Sequence, residues 1–381
     1  MNLLSGIEQD FHRPQKNPGA YEWWHFDGTD DNKSLSFSTQ FYAGHLLSPF
    51  YQEKLATYWK EAKSPLVTNT KVDVPNPLDF CGVIFRLFHK GRLAGEFLQE
   101  FDHDMLRASD SQPAVLLGSN RFNWDPAGNP PSYTLTLQGP LQTNGKSLRA
   151  RLFFTPERIS LPAPQSSEDL PTHTWILAAP RCHVEGTIEW CDAEGNVKKE
   201  YAFVGQGYHD HHFGTVPLDR FVKAWHWGRA FLEDQTLVYS VQIPADEKDS
   251  TEGFLLTANR NETRTWKVAF QLSQKRRNFF WLPYQKSLEF TDAQSLQINH
   301  HQILSDGPVS LIFEDQVQWD GSGKDLNGKG LSNYLYTPRL SRRFFYPMLK
   351  GKTTKVTKPL NDFPGPLNKP GGDVTTTRPT I

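Results

Sequence analysis

The chain has 381 residues and carries Lys+Arg 41 against Asp+Glu 42, a formal net charge of −1. That length suffices for two domains with their own cores or one large β architecture, and the charge balance argues against nucleic acid or an anionic membrane surface as a partner. Aromatic residues make up 13% of the chain within a hydrophobic total of only 37%, as expected for β-sheets or a ligand pocket lined by rings.

Residues 1–20 are polar, with Pro14 and Pro18, and read as an irregular lead-in. Tyr21-Glu-Trp-Trp-His-Phe-Asp-Gly28, a turn-rich 29–33 and an alternating run in which Leu35, Phe37 and Phe41 share a face predict a β-hairpin. Ser48-Pro49 can cap a helix whose apolar positions are Tyr51, Leu55, Tyr58 and Trp59, one of very few helical patterns in the chain. Strand patterns follow at 83–88, at Tyr133, Leu135 and Leu137, and at Leu148, Ala150, Leu152 and Phe154, with a turn cluster at 125–131. Residues 162–171 read as a polar, proline-spaced loop, after which strands resume at 184–190 and 197–204. Past residue 214, Leu237, Tyr239, Val241 and Ile243 alternate with polar positions, as do Trp266, Val268, Phe270 and Leu272. Many short strands with almost no helix predict an all-β fold, a sandwich or barrel. From about Lys350 apolar side chains nearly vanish, which predicts a flexible or surface-lying tail.

Cys81, Cys182 and Cys191 form no CxxC pair, so neither a disulfide framework nor a zinc knuckle is expected, and a reducing, cytoplasmic setting fits. The first residues lack a basic stretch followed by an apolar one, and no run approaches the roughly 18 apolar residues of a membrane span. Neither a secretory signal nor an integral membrane segment is expected.

The densest chemistry lies in Gly205-Gln-Gly-Tyr-His-Asp-His-His-Phe-Gly214. In an extended strand Tyr208, Asp210 and His212 share one face while His209, His211 and Phe213 share the other. In Trp225-His-Trp-Gly-Arg229 the same alternation groups Trp225, Trp227 and Arg229 and turns His226 away. A polar centre with tryptophan walls suits an apolar substrate that must be protonated at one point. Trp24-His-Phe-Asp-Gly28 and Trp225-His-Trp-Gly228 each precede an alternating strand, a weak internal repeat of the kind two copies of one barrel leave. The expected division is 1–214, 215–345 and a tail of 346–381.

Tyr-x-Trp-Trp-x-Phe-Asp near the start, Gly-x-Gly-Tyr-His-Asp-His in the middle and Trp-x-Trp-Gly-Arg after it resemble the bacterial hydroxyneurosporene synthase (carotenoid 1,2-hydratase) and AttH-like proteins over about residues 20–340. The fungal decalin-forming Diels–Alderases are more distant relatives. The resemblance implies two lipocalin-like antiparallel β-barrel (calycin) domains with few short helices, meeting at an angle around an apolar ligand. The chain departs from the pattern in reading His209-Asp-His-His-Phe-Gly214 where relatives commonly have His-Asp-His-Asn-Trp-Gly, and in placing His25 at a usual tyrosine position. The carotenoid hydratases also carry a His-x-Trp upstream of Tyr-x-Asp, for which the nearest candidate is His183-Val-Glu185, without the tryptophan.

Protonating an alkene carbon needs a strong acid that is still protonated at working pH, and a carboxyl desolvated among rings meets that need by a raised pKa. Asp210 is therefore the expected general acid, with Tyr208 and His212 as its catalytic partners. Trp24, His25, Trp225, Trp227, Arg229 and His183 are the candidate substrate contacts, the indoles stabilising positive charge. The plainer readings are an ionised Asp210 paired with Arg229 or a neighbouring histidine, an Arg229 that only forms a salt bridge, and tryptophans that are simply core. His209 and His211, with His300-His301, invite a metal, but the downstream carboxylate such a site wants is missing, so no metal is expected. The leading expectation is a cofactor-free enzyme that hydrates or cyclises a double bond of a hydrophobic polyene or isoprenoid-like substrate. A pericyclase and a non-catalytic carrier of lipophilic molecules are the alternatives.

Overall fold

In the computed structural model, which describes residues 2–62, 73–141, 145–163, 173–246, 251–291, 295–320 and 326–357, the chain forms two curled, almost wholly antiparallel sheets. Each wraps its own apolar core, one around Phe26, Phe85 and Phe154, the other around Tyr239, Leu288 and Val317. This is the expected all-β, lipocalin-like architecture. The helix expected after Ser48 spans Pro49–Ala62 and buries Tyr51 and Leu55, and the Ser48 hydroxyl caps it by accepting from the Tyr51 amide at 3.2 Å. No helix among the described residues is long and apolar enough to cross a membrane.

The first sheet has 13 strands and the second 9. In the first, strand Tyr21–Asp30 pairs with Leu35–Ala43 on one side and Val197–Gly214 on the other. It is buried along nearly its whole length, because one face looks into the first core and the other onto the second sheet. A strand covered on both faces reads as a continuous aromatic run rather than an alternation, which is what Tyr-Glu-Trp-Trp-His-Phe presents. In the second sheet Val222–Leu232 pairs with Gln235–Pro244 and Leu326–Tyr336. The sheets meet along a seam where Tyr21, Trp23, Tyr42 and Ile84 pack on Val222, Trp225 and Leu335. Beside it Trp175 and Tyr208 pack on Val238 and Leu256.

Three expectations are revised. The strands expected at 184–190 and 197–204 are parts of His173–Cys191 and Val197–Gly214, of 19 and 18 residues. The first was hidden because its register shifts between Ile176 and Ala179 and again between Ala179 and Cys182, around Pro180, so no period of two survives there. The lead-in is not irregular throughout: Asn2–Ser5 pairs in parallel with 174–177, and Asp10 and His12 are buried. Of the expected tail, Tyr346–Lys352 is helical and Thr354–Val356 adds in parallel to the edge of Arg92–Phe101; residues 358–381 lie outside the described residues.

The internal repeat persists as two hairpins, but its phase differs by one residue. Trp24 points into the first core whereas Trp225 faces the seam. Pairing Trp23 with Trp225 puts the first leucine of the next strand, Leu35 or Leu237, twelve positions after each indole.

Phe26 is fully buried, edge-on to Phe154 and Tyr133 and flat on the His209 ring at 3.7 Å. Phe26→Ala is expected to cost about 3–5 kcal/mol in urea unfolding; a loss below about 1 kcal/mol would contradict this packing.

Candidate functional site

Alternation along Val197–Gly214 sorts its ionisable side chains onto two faces, as the sequence predicts. His209 and His211 point into the first barrel, while Tyr208, Asp210 and His212 point into the seam.

On the inner face, His209 Nε2 lies 2.8 Å from Asp10 Oδ2, and its Nδ1 donates to the His25 carbonyl at 2.8 Å. Tyr133 donates to Asp10 at 2.9 Å. His211 bridges Glu22 at 2.9 Å and Asp10 at 3.2 Å, and His12 meets Glu22 at 2.7 Å. Trp24 stacks on His211 at 4.7 Å. Trp24 therefore belongs to this inner network and not to the wall of Asp210. The indole on the Asp210 side is that of Trp23, which pairs in register with His212. Burial raises the Asp10 and Glu22 carboxyls, but the histidines outweigh it and hold both below the ordinary range. Burial lowers His211, but its two carboxylates win and raise it. With these imidazoles engaged, no set of three or more His, Cys, Asp or Glu among the described residues is disposed to hold a metal ion. His300 is held by Asp315 at 2.7 Å inside the second barrel.

On the seam face, Asp210 is fully buried and its two oxygens differ. Oδ2 accepts from the Tyr208 hydroxyl at 2.6 Å, Trp175 Nε1 at 2.9 Å and His212 Nε2 at 3.0 Å. Oδ1 accepts no hydrogen bond from any of the described residues. His212 Nδ1 in turn meets His173 Nε2 at 3.1 Å, and His173 Nδ1 meets the Tyr21 hydroxyl at 3.0 Å. Because the carboxylate can only accept, each link donates toward Asp210: Tyr21 to His173, His173 to His212, His212 to Asp210. The His212 ring lies between Trp23 at 4.6 Å and Trp175 at 5.6 Å, with Trp225 edge-on at 5.4 Å. Burial pushes His212 and, more strongly, His173 below the usual imidazole value, so both rest as neutral rings.

The expected direction of the Asp210 shift is reversed. Burial does raise this carboxyl, but His212, His25 and the Tyr208 hydroxyl outweigh it and hold Asp210 well below the ordinary range. Desolvation was foreseen, as were Tyr208 and a neighbouring histidine as partners of Asp210; the Trp175 donor was not.

Arg229 does not pair with Asp210. Its guanidinium grips Asp27 across the seam, with Nε at 2.8 Å from Oδ1 and Nη2 on the same oxygen. His25, opposite Asp210 in register, donates to Asp27 at 3.1 Å and is met by Gln40 at 2.7 Å. A cavity of ≈ 290 Å³ opens along the seam here, lined by Thr29, Gln206, Arg229, Phe231 and Leu331 among others. Trp227 packs on Trp225 at 4.8 Å, a layer further from Asp210. His183 is exposed and stands opposite Gln206, away from the site. The His-x-Trp pair is instead His173-Thr-Trp175, both of whose rings reach the Asp210 network. Its spacing was visible in the sequence, but it fell between the expected loop at 162–171 and the strand expected from 184, where no element was assigned.

Asp10 and Glu22, held low, lend stability that is complete at neutral pH and is lost as pH falls through the carboxylate range. His211, held high, lends stability that is complete below about pH 6.5 and lost as pH rises through its folded value. Urea midpoints should therefore peak in weakly acidic solution, and Asp10→Asn should flatten the acid limb. An acid limb unchanged in Asp10→Asn would show that this cluster does not set it.

The surroundings of Asp210 can be set beside known proteins. Over 355 residues, 90% of this chain and 89% of the other, the sequence is 27% identical to the hydroxyneurosporene dehydrogenase of Chlorobaculum tepidum. It is 22% identical to the acyclic carotenoid 1,2-hydratase of Thiocapsa roseopersicina, matching 59% of this chain but spanning only 48% of that protein. Among solved structures, an AttH-type protein of Nitrosomonas europaea superposes with a TM-score of 0.55 over 87% of this chain and 95% of that one, at 17% identity, a likeness of fold. Residues 110–324, more than half of the chain, match the model of the carotenoid hydratase CrtC. With His-x-Trp and Tyr-x-Asp meeting at one buried carboxylate in a two-sheet lipocalin-like fold, the chain belongs to the carotenoid hydratase CrtC family.

Proposed function

We propose that this protein is a hydratase that adds water across a carbon–carbon double bond of a lipophilic polyene, with Asp210 as the acid and no cofactor. The observation that carries the reading is the inequality of the Asp210 oxygens: among the described residues, three donors on Oδ2 and none on the equally buried Oδ1. Protonating an unactivated alkene leaves a carbocation, so the acid must be strong. Each donor on Oδ2 stabilises the conjugate base, by about 1.5–3 kcal/mol for a hydrogen bond to a charged group. The bare Oδ1 is the oxygen free to carry a proton to a π bond.

In the proposed cycle the Asp210 O–H bond breaks as a C–H bond forms. The cation sits among the indoles of the seam, whose π faces favour positive charge. Water adds to it and gives up a proton, which returns to the carboxylate. Alkene and water become alcohol, and the acid is regenerated. Trp175 and Tyr208 act directly on the acid's charge, while His173 and Tyr21 act through His212 by fixing its tautomer. The family match supports the reaction type, and the relative named for acyclic carotenoid 1,2-hydration supports a long polyene as the substrate class.

Strength and occupancy oppose each other in such an acid. A depressed pKa leaves little of the protonated form at neutral pH, so kcat/KM on an acyclic carotenoid should climb by about tenfold per pH unit as pH falls, until the fold gives way. Asp210→Asn is expected to lose about 10³-fold or more in kcat, and Tyr208→Phe about 10-fold or more with KM little changed. Asp210→Asn with full turnover would refute acid catalysis. A modest loss there would favour a pericyclic reaction, and binding without turnover by the native chain would favour a carrier.

A further inference from the structure

The most exposed large apolar side chains among the described residues gather at one place. Phe279 is 83% exposed, Trp281 70% and Phe344 86%. They stand on two loops that share an anchor. The Arg339 guanidinium donates to the carbonyls of Phe280 and Trp281, both at 2.9 Å, and lies 5.0 Å from the Phe345 ring. The loop between strands Phe270–Arg277 and Pro283–Phe290 is also tied from within, since Asn278 donates to the Gly307 carbonyl at 2.8 Å and accepts from the Leu282 amide at 2.7 Å. Trp281 itself has a φ of 58°, a left-handed conformation that a bulky residue rarely adopts. The backbone is thus fixed in a form that holds an indole out in water.

Positive charge surrounds these rings. Lys275, Arg276 and Arg277 precede the first loop and are exposed, as are Arg342 and Arg343 before Phe344. The Arg277 guanidinium lies 5.7 Å from the Trp281 ring. Burial, then the charge of Arg342 and with it that of Arg277, lowers Arg339, so these cations stand close enough to repel one another. Asp306, bonded to the Asn278 amide, borders the same loop. The net charge of −1 for the whole chain conceals this local excess.

We propose that this patch docks the protein on a lipid bilayer bearing anionic headgroups, with Phe279, Trp281 and Phe344 entering the headgroup–acyl boundary and the arginines meeting phosphates. Aromatic rings rimmed by basic side chains match that boundary on both counts, since indoles settle at the interface and cations meet the negative surface potential. A second copy of the chain would bring like charges face to face. The patch also adjoins the seam: Leu340, next to Arg339, packs in the cluster that holds Trp23 and Trp225.

The test is co-sedimentation of the full chain with phosphatidylcholine vesicles, with and without phosphatidylglycerol. The native chain should sediment with the anionic vesicles and release as salt is raised. The combined variant Phe279→Ser, Trp281→Ser, Phe344→Ser should lose about tenfold or more in vesicle affinity. The combined variant Arg276→Gln, Arg277→Gln, Arg342→Gln should lose its preference for phosphatidylglycerol. Both variants should keep the native urea midpoint, because all six side chains are exposed. A native chain that stays in solution with anionic vesicles, or a serine variant that sediments as the native does, overturns the proposal. So does a serine variant that changes only self-association on gel filtration or only RNA binding. Asp210→Asn should sediment like the native chain, so docking stands or falls apart from the hydratase reading.

Discussion

A charge buried without donors costs several kcal/mol, and the charge of Asp210 is met almost wholly on one oxygen. That requirement shapes the seam. Tyr208 and His212 come from the same strand as Asp210, two residues to either side, while Trp175 and His173 come from the neighbouring strand. Tyr21 comes from the strand on the other side. The five can converge only if Tyr21–Asp30, Val197–Gly214 and His173–Cys191 lie side by side, which is the order the first sheet adopts. Water is kept out by the second sheet, whose Trp225 closes over His212. Gly214 serves the same end, since a Cβ there would lie 2.3 Å from Tyr21 Cζ and displace the ring from His173.

The strand that carries Asp210 is pinned from behind as well. His209 and His211 alternate with Tyr208, Asp210 and His212, and their carboxylate partners sit on the N-terminal segment and on Tyr21–Asp30. One short run of sequence thus serves two buried networks with opposite demands. Inside the barrel, carboxylates and histidines pair and hold the strand in place. In the seam, one carboxylate is supplied with donors on a single side and left bare on the other. Asp27 makes a third junction, taking Arg229 from the second sheet and His25 from its own strand, so the two sheets are also joined by charge.

Much of this was legible in the residues. Alternation was enough to place Tyr208, Asp210 and His212 on one face and to group Trp225 with Trp227 and Arg229, because a period of two survives wherever a strand is regular. It failed where regularity fails. The bulges around Pro180 erased the pattern of 173–183, so His173 and Trp175 were assigned to no element and His183 was chosen in their place. Trp24 was preferred to Trp23 because a strand buried on both faces gives no polar side from which to set the phase. The lowered pKa of Asp210 depends in part on His25, which is distant in sequence, and on the register that aligns the two. The basic aromatic patch was invisible to net charge because it joins residues 275–281 to 339–345 through a single arginine.

The account rests on an acid whose conjugate base is held by three donors while its other oxygen stays open. The most direct measurement is a carbon NMR titration of the Asp210 carboxyl in the free protein, with the signal assigned by its absence in Asp210→Asn. The account predicts that the signal stays at its ionised position as pH falls into and below the ordinary carboxylate range, for as long as the protein remains folded. A carboxyl that takes up its proton near neutral pH would contradict it, because the donors on Oδ2 would then have failed to outweigh burial.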